Sequence, residues 1–363
     1  MRTPRSAPRL LIAGLALALL LPAAALADTE VIAPDGTLYE VFPTTVSAVD
    51  WTASGEPDAN FAVLGLRITP PGEPSRLEIV AGTRNASTEG SCSIDLEEAT
   101  GTLFVAYVKS AGMLSDMHVA VRRDGEWLNE DILPSRGLYF SVNPRVVVTR
   151  QDYVDFGPDG LPVTKTRSIF SLVWWEESGP SQARFGAVFI EDGALRLDTV
   201  TAWNLNELAG SPGPTDATGL PISSYSFPSV QADPTSNGGV LVTFANLVTR
   251  TQQVLRISFP DDLVKLSPPD STKVPDDVWA RAHVPIGRSA GSGRIPENMN
   301  TLTEVGAIAS QKGTTTFYWV QSGGMYFIKS DDPEGAAPRR LALRPDFSAD
   351  RALRVVRTFA ERN

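Results

Sequence analysis

The fold this sequence predicts is all-β, a β-propeller of about five four-stranded antiparallel blades, and three observations predict it. Three strand types recur in the same order along the chain. Each second strand in the series ends on an aromatic residue, at Tyr107, Trp174, Phe244 and Trp319. The chain also carries 28 prolines and 29 glycines among many Val, Ile, Leu, Phe and Thr residues, the composition of short strands with frequent turns. The clearest copy is Ser91 to Trp127, which reads as three or four short strands joined by hairpin turns.

The N-terminus comes first. Arg2, Arg5 and Arg9 precede an apolar run, Leu10 to Leu21, and a small-x-small site, Ala25-Leu26-Ala27. That is the pattern of a signal peptide over residues 1–27, cleaved on export to a periplasmic or extracellular location. Pro22 and the alanine-rich end argue against a membrane anchor, and no later segment is apolar for long enough to span a bilayer. Residues 28–363 then form a single propeller domain, expected to be a monomer. Removing the three signal arginines from 32 basic residues leaves 29 against 42 acidic, a net charge of −13. So acidic a chain lacks the basic footprint that nucleic acid requires. Cys92 is the one cysteine, so no internal disulfide forms. Its place in an alternating run reads as a buried, inert thiol.

Asp28 to Gly82 supplies one blade, with strands at Leu38–Phe42, Phe61–Thr69 and Arg76–Ala81. The first strands of the following blades are Cys92–Leu96, Pro144–Val148, Pro228–Ala232 and Gly306–Ala309. The third strands are Met117–Val121, Arg184–Val188, Gln253–Ile257 and Met325–Lys329. A more polar fourth strand is expected at Trp127–Ile132, Ala194–Thr201, Val278–Pro285 and Arg339–Arg344. Growing polarity along each unit fits a first strand at the buried centre and a last strand at the rim. Such units cannot bury both faces alone and must stack. A sixth blade follows if Asp28–Phe42 or the C-terminal segment completes a shared one.

Gln151–Thr166, Ala202–Ser226 and Arg288–Glu304 read as insertions. Ser348 to Asn363 is expected to be a helix capped by Ser348, with Leu353, Val356 and Phe359 on one face. Its four arginines, Arg351, Arg354, Arg357 and Arg362, suggest docking onto the acidic body.

Arg123-Asp124-Gly125-Glu126-Trp127 resembles the Asp box, Ser-x-Asp-x-Gly-x-Thr-Trp, found between third and fourth strands in secreted propellers of the sialidase-like type. Ile190-Glu191-Asp192-Gly193 keeps the turn alone. As a strand pattern the resemblance covers roughly residues 90 to 330. It implies a propeller fold. Sialidases of that family use an arginine triad, a Tyr/Glu nucleophile pair and an acid Asp, and no motif here carries those roles onto particular residues. One fold hosts many functions, so glycosidase activity does not follow.

The ligand face of a propeller is expected where loops lead from each outer strand into the next inner one. Those loops hold Arg136 and Tyr139, then Trp203, Glu207 and Tyr225, then Arg288, Arg294, Glu297 and Asn300. Arginine forks suit carboxylates and aromatic faces suit sugars, so the expected ligand is anionic or sugar-like. Asp152, Asp155 and Asp159 place three carboxylates in one insertion, a candidate Ca²⁺ site without EF-hand spacing, although Pro158-Asp159-Gly160 is a turn signature in its own right. Trp174 and Trp175 read as inter-blade core, and neighbouring Glu176 and Glu177 point apart on a strand. His118 and His283 fall in expected strands. The leading function is an exported binding or interaction module for a glycan or protein partner. The alternative is a glycan-processing enzyme of sialidase-like architecture, and a purely structural repeat protein is a third reading.

Overall fold

The computed structural model describes residues 29–45, 62–83, 92–111, 114–129, 140–177, 182–196, 202–208, 225–246, 251–261, 282–294, 302–312, 314–330, 337–344 and 349–362. It is an all-β propeller of five four-stranded antiparallel blades. Blade one is β1 (Glu30–Ile32), β2 (Leu38–Thr45), β3 (Ala62–Thr69) and β4 (Arg76–Ile79). Blade two is β5 (Cys92–Glu97), β6 (Thr102–Ala111), β7 (Leu114–Arg123) and β8 (Glu126–Asn129). Blade three has β9 (Phe140–Phe156), β10 (Pro162–Glu177) and β11 (Gln182–Glu191), with its rim formed by β12 (Ala194–Arg196) and β13 (Ala202–Asn204), both paired to β11. A four-residue helix, α1 (Leu205–Leu208), follows. Blade four is β14 (Tyr225–Ala232), β15 (Val240–Asn246), β16 (Thr251–Ser258) and β17 (Ile286–Arg294). Blade five is β18 (Leu302–Ala309), β19 (Thr315–Gln321), β20 (Gly324–Lys329) and β21 (Arg339–Ala342). The chain then enters helix α2 (Ala349–Arg362). A single parallel bridge, Ser115 to Phe140, joins blades two and three.

The core lies between blades. Second and third strands are apolar on both faces because each face meets a different neighbour, so they read as continuous hydrophobic runs. Leu103, Val105 and Tyr107 pack on blade one through Leu64, Leu66 and Ile68. Phe104 and Ala106 face the other way, onto Phe170, Leu172 and Trp174 of blade three. Alternation continues there: Val173 packs towards blade four with Phe244 and Ile257, while Trp174 packs towards blade two. Buried Cys92 belongs to the seam of blades one and two, and burial pushes its thiol up to about 12. That is an inert thiol.

The Asp-Gly pairs have a local explanation. Asp124-Gly125 and Asp192-Gly193 have positive φ at both residues, and each closes a two-residue third-to-fourth-strand hairpin. Such turns demand left-handed backbone, which Asp and Gly tolerate. Arg123 Nη1 also donates to the Gly193 carbonyl at 2.6 Å, linking the two turns.

Two expected elements are corrected. The fourth strand of blade four is Ile286–Arg294, not Val278–Pro285, so the start of the Arg288–Glu304 insertion is a strand. Its glycines disguise it. A side chain at Gly287 would strike the Leu208 carbonyl of α1, and Gly291 has φ +139° at a register shift opposite Val254 and Leu255. His283 accordingly precedes the strand instead of lying in one. The Gln151–Thr166 insertion is regular: β9 and β10 run on as one long hairpin beyond the blade, turning at Gly157–Leu161.

Candidate functional site

The inner strands β1, β5, β9 and β14 surround an axial cavity of about 280 Å³. Each inner strand enters from the preceding blade and leaves by a turn to its own second strand. The cavity residues Asp95 and Gln231 lie towards the leaving ends of β5 and β14, and Glu30 opens β1. The wall on that side comes from α2, whose helical spacing brings Leu353, Arg354 and Arg357 to the cavity. The buried stripe of the same helix, Ala352, Leu353, Val356 and Ala360, packs on Ile308, Tyr318 and Phe327 of blade five. Helix and docking onto the body are both as the sequence suggested.

The polar groups of the cavity are specifically engaged. Arg354 Nη1 donates to Glu30 Oε1 at 2.8 Å, and Arg357 Nη2 donates to Gln231 Oε1 at 2.6 Å. Asp95 accepts the Val148 N–H at 2.7 Å and the Leu96 N–H at 2.9 Å. Ser93 Oγ accepts the Val146 N–H at 3.2 Å, so polar residues of β5 stitch it to β9. Val31, Ile94, Val146 and Val230 complete apolar walls, and Ile32 stands 59% exposed at the cavity. Charged and apolar surfaces thus face one small cavity open to solvent on the side of Ile32, Arg354 and Arg357, the arrangement of a ligand cleft.

The sequence-predicted ligand residues do not gather there. Trp203 is in the rim strand β13 and packs against Phe185, ring centroids 6.1 Å apart. Glu207 is exposed on α1. Arg288 and Arg294 belong to the rim strand β17, opposite Arg256 and Thr251. Tyr225 opens the inner strand β14 at its entering end. Arg136, Tyr139, Glu297 and Asn300 lie outside the described residues. The reason for the displacement is the strand assignment: once β13 and β17 are paired, their residues sit at the rim and not in connecting loops.

The three aspartates of the proposed calcium loop are engaged one by one. Asp152 Oδ1 accepts the Thr166 hydroxyl at 2.6 Å, Asp155 pairs with Lys165 at 2.8 Å, and Asp159 Oδ1 accepts the Leu161 N–H at 3.1 Å. Hydrogen bonds to Asp155 and then Asp192 raise the Lys165 pKa above its usual value despite some burial. Among the described residues no group of three His, Cys, Asp or Glu side chains is placed to hold a metal ion.

Sequence reasoning missed a second polar constellation, at the base of the long hairpin. Buried Glu191 Oε1 accepts from Arg167 Nη1 at 2.7 Å and lies 2.9 Å from His283 Nε2. Arg167 also donates to Gln151 Oε1 and to the Pro260 and Ala282 carbonyls. Its guanidinium lies between the rings of Tyr153 and Phe189, 5.1 and 5.0 Å from their centroids. Burial pushes the Glu191 carboxyl up, but bonds from His283 and Arg167 outweigh it and hold the group below its ordinary value. Burial, with the Glu191 charge second, pushes Tyr153 up to about 12. The partners are 16 to 115 residues apart in sequence, so no local signal announces them.

This cluster fastens the hairpin to blade four. Gln151 Nε2 donates to the Phe259 carbonyl at 2.8 Å, the Val154 N–H to Asp261 at 2.9 Å, and Thr149 to Gly238 at 2.8 Å. It is a structural strap.

No protein-family model matches the chain, and no curated protein matches it in sequence. Of the Asp-box resemblance, the structure bears out the third-to-fourth-strand turn at Asp124-Gly125. Among solved structures, the chain is similar to the endo-arabinase from Bacteroides thetaiotaomicron VPI-5482, at 10% identity and a TM-score of 0.34, over 89% of this chain and 96% of that one. The fold rests on the strand order and blade packing above. No helix among the described residues is long and apolar enough to cross a membrane.

Proposed function

We propose that the chain is an exported, monomeric binding module whose small-molecule ligand occupies the axial cavity. One observation carries this reading: side chains from four blades and from α2 converge on one half-open cavity with apolar walls and engaged polar groups. Pockets of this kind orient a ligand by a few polar contacts and hold it by apolar burial. The rigid ring keeps those contacts in place before the ligand arrives, which lowers the ordering cost of binding. Export rests on the signal-peptide pattern of residues 1–27.

The test is a thermal-shift screen of the purified chain with small acids, sugars, sialic and uronic acids, oligosaccharides, and calcium against chelator. A ligand of the folded state at a hundredfold excess over its Kd stabilises by about 2.7 kcal/mol. Ile32→Trp fills the cavity mouth at an exposed position and is expected to remove the shift. Shifts that survive Ile32→Trp place the ligand elsewhere, and release of reducing sugar from an oligosaccharide would turn the reading to a glycoside hydrolase.

A further inference from the structure

We infer that the axial cavity takes a small monocarboxylate with a short apolar tail, an inference that rests on the cavity being the ligand site. Two arginines of α2 line it, and they differ. Arg354 is neutralised by Glu30. Arg357 meets a neutral amide, Gln231 Oε1, and forms no ion pair among the described residues. A guanidinium offers five N–H donors in a fork that matches a carboxylate, and this one spends a single hydrogen bond on Gln231. Among the described lining residues it is the cation without a carboxylate partner, on the solvent-exposed side of the cavity.

The surroundings narrow the anion. Asp95 also lines the cavity, with its two oxygens already turned to the Val148 and Leu96 amides. A second carboxylate nearby, Glu30, makes any dianion costlier than a monoanion, since repulsion scales with charge. Phosphate and sulfate fit poorly on that ground. Val31, Ile94, Val146, Val230 and Leu353 supply apolar wall for a tail. At about 30 Å³ for a water-sized group, 280 Å³ holds a carboxylate and a tail of a few carbons.

Calorimetry of the purified chain with butanoate, hexanoate, octanoate and hexanamide tests this. Hexanoate is expected to bind about 10- to 100-fold more tightly than hexanamide, the range for a charge-assisted bond. Each methylene from butanoate to hexanoate should tighten binding about fourfold, as buried CH₂ groups do. Arg357→Gln should erase the preference for hexanoate over hexanamide, with a melting midpoint near that of the parent chain. Arg340→Gln, on blade five over the Tyr326 ring and away from the cavity, should bind as the parent does. Equal binding of acid and amide, a preference that survives Arg357→Gln, or no binding of any of the four probes overturns the inference. Loss of both ligands in Ile32→Trp would leave the cavity reading standing in the first two cases. Hexanoate binding untouched by Ile32→Trp would overturn the cavity reading as well.

Discussion

The seam between blades three and four and the junction from blade five to blade one are held by different devices. At the first, apolar faces meet directly, with Phe185, Phe189, Phe244 and Phe259 in one cluster. A buried Arg167–Glu191–His283 network and a β-hairpin strap lie across it. At the second, α2 covers the face of blade five turned away from blade four and reaches blade one through Arg354 and Glu30. Among the described residues, β1 pairs with β2 alone and β21 with β20 alone, so no strand is shared between first and last blades. Charge is buried where blades already pack tightly, and left exposed where a helix does the packing. The polar groups of the two regions should therefore differ widely in their worth, because solvent screens one set and not the other.

The largest expected effect is at the strap. Arg167→Met leaves Glu191 buried without its cation and should cost about 3–5 kcal/mol, read as a fall in the chemical-denaturation midpoint. A loss below about 1 kcal/mol would show that the cluster is hydrated and the contrast false. Next comes the helix: Leu353→Ala removes a buried side chain from the blade-five interface and should cost about 2–4 kcal/mol. If denaturation of that variant leaves the five blades at their parental midpoint, α2 is an ornament and not the link to blade one.

Acid titration sharpens the same comparison. Glu191 has its folded pKa below the ordinary value of 4.5, so its contribution is present above that value and is lost as pH falls through the folded pKa. The melting midpoint should drop on that acid side, and Glu191→Gln should flatten the drop by removing this carboxyl. An unchanged acid limb in Glu191→Gln would assign acid sensitivity to other groups, such as Glu97, whose Thr100 bonds outweigh burial and also hold it low. The smallest effect belongs to Arg354→Gln. Its ion pair with Glu30 is 51% and 30% exposed at the two side chains, and it should cost about 0–1 kcal/mol.

Much of the ring was legible before any coordinates. The apolar runs ending on Tyr107, Trp174, Phe244 and Trp319 marked the second strands because a strand buried on both faces must be apolar throughout. The Leu353 and Val356 stripe marked the helix for the same reason of periodicity. The rim was less legible. β17 is held by pairing to β16, and its Gly-Arg-Ser-Ala-Gly-Ser-Gly run carries no alternation to read. Placing it wrongly moved Arg288 and Arg294 from rim to loop, and Trp203 went with the same error at β13.

The site was the least legible part. The sequence alone determined strand type, strand order and an amphipathic C-terminal helix, since each depends on the spacing of apolar residues along a short stretch. Only the tertiary structure decided that Arg357 faces Gln231, 126 residues away, across a cavity bounded by four inner strands. It also decided that Arg167, Glu191 and His283 share one buried network. Periodicity reports which face of an element is buried; it is silent on which distant polar group waits on the other side, because that depends on how the blades turn about a common axis.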